Sequence, residues 1–147
     1  MHRKFKRADS WSRKVIGAAI EVHRLKGPGL LESIYEKCLA RECFLLEIPL
    51  VQQLAVPIEY KGLRFEEPLQ LDLYVDECLI LELKSVEKVL PIHKAQLLSY
   101  MKLLDAPLGL LINFHEPRLV DGIHRLILAG ADRPDPGEER NDGEEVS

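Results

Sequence analysis

The chain has 147 residues, a formal net charge of −4 and 46% hydrophobic residues, the composition of one domain with its own core. No apolar run approaches the roughly 20 residues of a membrane span, and the basic start Met1–Arg7 lacks the apolar stretch of a signal peptide, so a cytoplasmic, non-membrane protein is expected. Three cysteines (Cys38, Cys43, Cys78) without a Cys-x-x-Cys spacing exclude a disulfide framework, a four-thiolate cluster and a structural zinc site, leaving ordinary buried thiols.

The charge is unevenly spread. Residues 1–14 hold six Lys/Arg and one acid, whereas residues 131–147 hold seven acids and two arginines in a Pro/Gly/Glu-rich run. Such a tail has too little apolar surface to fold, so the expected division is a domain over 1–130 and a disordered acidic tail over 131–147. An acidic total does not exclude a nucleic-acid partner, because binding footprints are local.

Trp11 to Lys26 reads as a helix with Val15, Ile16, Ala19, Ile20, Val22 and His23 on one broad face. Gly27-Pro28-Gly29 breaks it, and a second helix is expected from about Leu30 to Leu46, with Ile34, Cys38, Leu39 and Leu45 among its apolar positions. Val51 to Tyr60 alternates through Val56, Ile58 and Tyr60 as one strand, which Lys61-Gly62 turns into Leu63 and Phe65. Two further strands follow, around Leu71–Val75 and Leu79–Lys84. Pro91 opens a third helix that Ala106-Pro107 ends. Leu108 to Phe114 is apolar enough for a central strand, and Gly122 to Leu128 forms the last one. The order is α-α-β-β-β-β-α-β-β, an α/β sandwich with three or four antiparallel strands and one crossover.

The two middle strands carry the chemistry. Charges seldom sit in runs as apolar as Leu71-Asp72-Leu73-Tyr74-Val75 and Leu79-Ile80-Leu81-Glu82-Leu83-Lys84 unless something pairs them. Strand parity puts Asp72 with Gln70 and Tyr74, opposite Leu69, Leu71, Leu73 and Val75, and puts Ile80, Glu82 and Lys84 together on the next strand. A hairpin through Asp76-Glu77-Cys78 pairs Val75 with Leu79 and sets Asp72 opposite Glu82, with Cβ atoms roughly 4.5–5.5 Å apart. Two carboxylates that close need a proton or a cation between them. Hard oxygen donors suit Mg²⁺ or Mn²⁺, and Lys84 then faces whatever the metal holds. The alternative is that Glu82 and Lys84 form the solvated face of an edge strand, with Asp72 as their salt-bridge partner.

Two more groups lie close in sequence pattern. Glu32, in the first turn of the second helix, shares a face with Tyr35 three residues on. In the third helix His93, Gln96 and Tyr100 fall on one face, able to position a phosphate, a water or a metal ligand. The plainer alternative there is a core Tyr100 and a capping Gln96.

These residues carry a resemblance. Gly29-Leu30-Leu31-Glu32-Ser33-Ile34-Tyr35 resembles the signature of the GxxExxY protein family. The similarity continues through Val56–Gly62, the Asp72 strand, Glu82-x-Lys84, Leu90–His93, Gln96–Tyr100 and Gly109–Phe114, roughly residues 12–127. That family is grouped with the PD-(D/E)XK nuclease superfamily, so the resemblance implies a restriction-endonuclease-like α-β-β-β-α-β core. A mixed sheet flanked by helices, with an extra N-terminal helix, is the expected fold. It implies Asp72, Glu82 and Lys84 as the catalytic triad, and Gln96-x-x-x-Tyr100 as the extra motif of the RecB-like branch. Asp72, Glu82, the Leu83 carbonyl and Glu32 would hold Mg²⁺ or Mn²⁺; Gln96 would join the catalytic set, with Tyr100, Tyr35 and His93 positioning substrate. Leu71 stands where the superfamily's name has a proline.

The implied function is metal-dependent hydrolysis of nucleic-acid phosphodiesters, DNA first. So small a core implies help from a homodimer or a partner protein. One rival is a catalytically silent nuclease-fold module, acting as the binding or regulatory subunit of a larger complex. Another is a transition-metal site built on His23, His93 or His115.

Overall fold

Seven strands and three α-helices make up residues 1–135, the part that a computed structural model of the chain describes. Helix α1 (Phe5–Lys26) and helix α2 (Glu32–Leu45) precede strands β1 (Leu50–Val56), β2 (Glu59–Tyr60), β3 (Leu63–Arg64), β4 (Leu69–Val75) and β5 (Leu79–Lys84). Helix α3 (Pro91–Leu104), strand β6 (Leu108–Asn113), a 3₁₀ turn (Leu119–Gly122) and strand β7 (Ile123–Ile127) complete the order. Five strands form one mixed sheet in the order β1-β4-β5-β6-β7, and β2 with β3 forms a separate two-stranded ribbon. Only β5 and β6 run parallel, joined by α3 as the crossover. The expected α-β-β-β-α-β core is therefore α2-β1-β4-β5-α3-β6, with α1 as the added N-terminal helix.

Two cores separate the layers. On one face Val15, Ala19 and Val22 of α1 and Tyr35, Leu39 and Cys43 of α2 pack on Leu73, Val75, Leu81, Leu83 and Ile112. On the other, Leu97 and Met101 of α3 pack on Leu71, Tyr74, Ile80 and Leu111. Helix α3 comes so near β6 that a Cβ on Gly109 would sit 2.8 Å from the Met101 sulfur. The buried stripe of α2 is 35-39-43, not the expected one, since Ile34 and Leu45 are exposed. Cys43 and Cys78 are buried thiols and Cys38 is half-buried; burial pushes Cys43 up to about 11. Among the described residues no helix is long and apolar enough to cross a membrane.

Two expectations about strands change. Val51–Tyr60 is not one strand. Val56 ends β1, Pro57 offers no N–H to extend the ladder, and the chain restarts as the β2–β3 ribbon. Nor does β4 alternate throughout. Leu69 and Leu71 pack with α3, but Leu73 and Val75 pack on the opposite face, so parity breaks at Asp72. The partner strand is irregular at the same level. Between the Gln52–Leu73 and Leu54–Leu71 pairs, Gln53 adopts a left-handed backbone with φ 51°.

The other end of β4 is clamped to α1. Asp76 and Glu77 both have positive φ (46° and 53°) in the tight β4–β5 turn, a conformation that disfavours side chains. Trp11 donates its indole N–H to Asp76 Oδ2 at 2.9 Å, Arg7 pairs with the same oxygen at 3.1 Å, and Lys4 donates to the Glu77 carbonyl at 3.0 Å. These contacts hold the turn that sets the β4–β5 register.

The described chain stays in contact with the N-terminus just past residue 130. Ala131 is buried and its carbonyl accepts the His2 N–H at 2.9 Å, so residues 131–135 continue the fold. The rest of the expected acidic tail, 136–147, lies outside the described residues.

Candidate active site

Strands β4 and β5 pair as Val75–Leu79, Tyr74–Ile80 and Leu73–Leu81, the register the three-residue loop predicts. One step further the side chains replace the ladder. The Leu83 N–H donates to Asp72 Oδ2 at 2.8 Å, and the Asp72 N–H donates to Glu82 Oε1 at 3.3 Å. Each carboxylate thus accepts a main-chain N–H from the other strand. The exchange lies at the level where the parity of β4 breaks.

The electrostatics follow from burial. Glu82 is only 9% exposed, and desolvation, then the Asp72 charge, pushes its carboxyl up to about 8. A hydrogen bond between the two carboxyl groups adds to the rise; the Asp72 N–H and the Lys84 charge oppose it. Asp72 is raised as well, by burial first, against the Leu83 N–H and Lys84. At neutral pH the pair therefore shares a proton unless a cation replaces it. Lys84, half-buried at the end of β5, lowers both carboxyls through space and forms no ion pair within 4.0 Å among the described residues.

A family model for the PD-(D/E)XK nuclease superfamily matches residues 9–126. The chain belongs to that superfamily. No curated protein and no solved structure matches it.

In this PD-(D/E)XK nuclease fold the other predicted site residues divide. Glu32 stays close enough for its charge to raise Asp72, yet its Oε1 accepts the Ser85 N–H at 3.3 Å. Among the described residues no three His, Cys, Asp or Glu side chains converge closely enough to hold a metal ion. Two carboxylates are in place, and Glu32 is near enough for its charge to reach Asp72 while it accepts the Ser85 N–H. Leu83 presents its N–H to Asp72, and its side chain lies in the core. Tyr100, half-buried on α3, has its hydroxyl raised by burial and then by the Glu82 and Asp72 charges, which places it at the site. Gln96 is exposed one turn before it on the same helix.

Tyr35 and His93 have structural duties instead. Tyr35 is fully buried; its hydroxyl donates to the Gly27 carbonyl at 2.5 Å and accepts the Leu30 N–H at 3.1 Å. Its ring stacks on Phe114 with centroids 4.4 Å apart. Every polar atom is spent on shaping the Gly27–Leu30 loop, which leaves none for substrate. Tyr35→Phe is expected to cost about 1–3 kcal/mol by stranding those two backbone groups, checked by denaturant unfolding. A change within error would show that water takes over both bonds. His93 Nδ1 accepts the Leu90 N–H at 3.0 Å and so caps α3. His23 Nε2 donates to the Glu116 carbonyl at 2.8 Å, and no group of three His, Cys, Asp or Glu among the described residues gathers His23, His93 or His115 into a metal site.

Three contributors have little sequence signal. Gln53 reaches Glu36 at 2.5 Å and Asp72 Oδ1 at 3.5 Å, bridging α2 to the carboxylate pair. Ser85 donates its hydroxyl to the Leu30 carbonyl at 2.6 Å, tying the loop before Glu32 to the residue after Lys84. Asn113 is fully buried and clamps Val86 through both amide atoms at 3.1 and 2.9 Å. Only Asn113 is visible beforehand, as the one polar residue closing an apolar run.

Proposed function

We propose that the protein hydrolyses nucleic-acid phosphodiester bonds, DNA foremost, with Mg²⁺ or Mn²⁺ held between Asp72 and Glu82. The reciprocal Asp72–Glu82 pair carries this reading: a buried Glu82 carboxyl, raised to about 8 by its burial and then by the Asp72 charge, and a half-buried Asp72 carboxyl beside it make a hard-oxygen donor set short of a cation. The Leu83 carbonyl and Glu32 would complete the set. A bound divalent ion supplies Lewis acidity and lowers the pKa of a coordinated water.

The chain's own groups do the rest. Main-chain N–H donors from Asp72 and Leu83 fix the two carboxylates in place before anything binds. Lys84, unpaired beside them, orients or deprotonates the attacking water or stabilises the charge that develops on phosphate oxygens. Tyr100 and Gln96 steady the phosphate from α3. The finer placement, in the GxxExxY family and the RecB-like branch, is supported by Gly29–Tyr35 and by Gln96-x-x-x-Tyr100.

The test is incubation with linear and circular, single- and double-stranded DNA in Mn²⁺, in Mg²⁺ and in chelator. Metal-dependent loss of substrate is expected. A preparation that binds these polymers but cuts none would establish instead the silent nuclease-fold module, working as a subunit of a larger complex.

A further inference from the structure

The β2–β3 ribbon interrupts the chain between Val56 and Leu69, three residues before Asp72. It therefore projects from the carboxylate end of the sheet, opposite the clamped Asp76–Glu77 turn. Lys61 and Gly62 form its two-residue turn with φ 48° and 86°, the left-handed pair that a tight hairpin needs and that glycine supplies most cheaply. Tyr60 pairs with Leu63, and the Phe65 N–H bonds the Ile58 carbonyl at 3.1 Å one step out. Cross-strand partners share a face, so Ile58, Tyr60, Leu63 and Phe65 line one side of the ribbon.

That side is bare. Tyr60 is 61% exposed, Leu63 59% and Phe65 49%. A lone two-stranded ribbon is marginally stable in water, and an apolar face on it normally packs on something. Lys61 Nζ lies 5.4 Å from the Tyr60 ring centroid, a cation beside an aromatic surface. Arg64 pairs with Glu59 on the opposite side. Exposed aromatics next to a phosphodiester site suit nucleobases, because every base has a π-face and stacks without regard to sequence.

We propose that the β2–β3 ribbon is a stacking arm on which unpaired bases of a nucleic-acid strand lie as it crosses the Asp72–Glu82 pair. This rests on the nuclease reading and narrows it to substrates with single-stranded character. The ribbon's two cations, Lys61 and Arg64, face three acids, Glu59, Glu66 and Glu67. Its contribution is therefore stacking rather than phosphate neutralisation, and insensitive to salt.

Binding is measured in chelator, without cleavage, by fluorescence anisotropy of end-labelled short single strands of DNA and of RNA and of a blunt DNA duplex. Tyr60→Ala with Phe65→Ala is expected to weaken single-strand binding by about 5- to 150-fold per ring, equally at low and high salt. Duplex binding and the melting temperature stay as in the wild type. Tyr60→Phe keeps the ring and should keep the affinity, which separates stacking from a hydrogen-bonding or folding role. The DNA and RNA strands show which polymer the arm takes. Equal single-strand affinity in wild type and double variant overturns the proposal, as does a wild type that binds no single strand. So does a double variant that lowers only the oligomeric mass, since the face would then be covered by a second copy. A wild type that binds through the rings but never cleaves refutes the nuclease reading and leaves the arm standing.

Discussion

Lys84→Ala is expected to lower metal-dependent cleavage by about 10²–10⁴-fold while the fold and metal binding persist. The Lys84 side chain makes no hydrogen bond or close ion pair among the described residues, and its carbonyl bond to the Phe114 N–H survives in alanine, so the change strands no partner. It acts on the carboxyls only through space, lowering both. The loss should therefore appear in turnover, measured on the substrate cut fastest by the wild type, with the melting temperature and its metal response unchanged. Cleavage that Lys84→Ala leaves at full rate would remove Lys84 from the chemistry and point to a contaminating nuclease.

The second large effect is on stability. Glu82 is raised from an ordinary 4.5 to about 8 in the folded chain, so the folded state keeps a proton that the unfolded chain releases within that window. Stability is then greatest below the ordinary value and falls as pH rises through the folded one, by up to about 1.4 kcal/mol per unit. Mg²⁺ or Mn²⁺ taken up by the deprotonated pair, as proposed, would work against this loss, by about 2.7 kcal/mol at a hundredfold excess over Kd. Melting curves near pH 5 and pH 8, with and without metal, should show the apo protein weaker at the higher pH and the metal rescuing it there. Asp72→Asn keeps an oxygen for the Leu83 N–H but loses the charge. It should flatten the pH dependence and abolish most of the rescue. A rescue of undiminished size in Asp72→Asn would place the cation elsewhere.

The site was legible in the sequence where charge broke an apolar run. Asp72 and Glu82 stood out because nothing else in their strands is charged before Lys84, and the loop length alone set them opposite each other. The topology was legible too, since one helical segment between two apolar strands forces a parallel crossover. What escaped was local backbone irregularity. Period-two parity puts Leu71 and Leu73 on one face; the chain twists between them, and no residue type at Asp72 or Gln53 announces it. The face of α2 escaped for another reason. Ile34, Phe44 and Leu45 are exposed apolar residues (40%, 70% and 58%), so hydrophobic spacing no longer marks the inside. The motif places Tyr35 among the substrate-positioning residues, whereas its hydroxyl is the internal brace of the preceding loop.

The left-handed Gln53 reaches beyond the site. Strand β1 is an outer strand of the sheet, and its far side offers N–H and C=O groups to any other chain that comes near. Inward, the Gln52–Leu73 and Leu54–Leu71 pairs continue across the kink; outward, the row of donors and acceptors is thrown out of line at its midpoint. A straight strand approaching from solvent finds two short stretches instead of one continuous template. The kink beside Asp72 thus also leaves that border as two short segments, a form less suited to strand addition by another chain than one long regular edge.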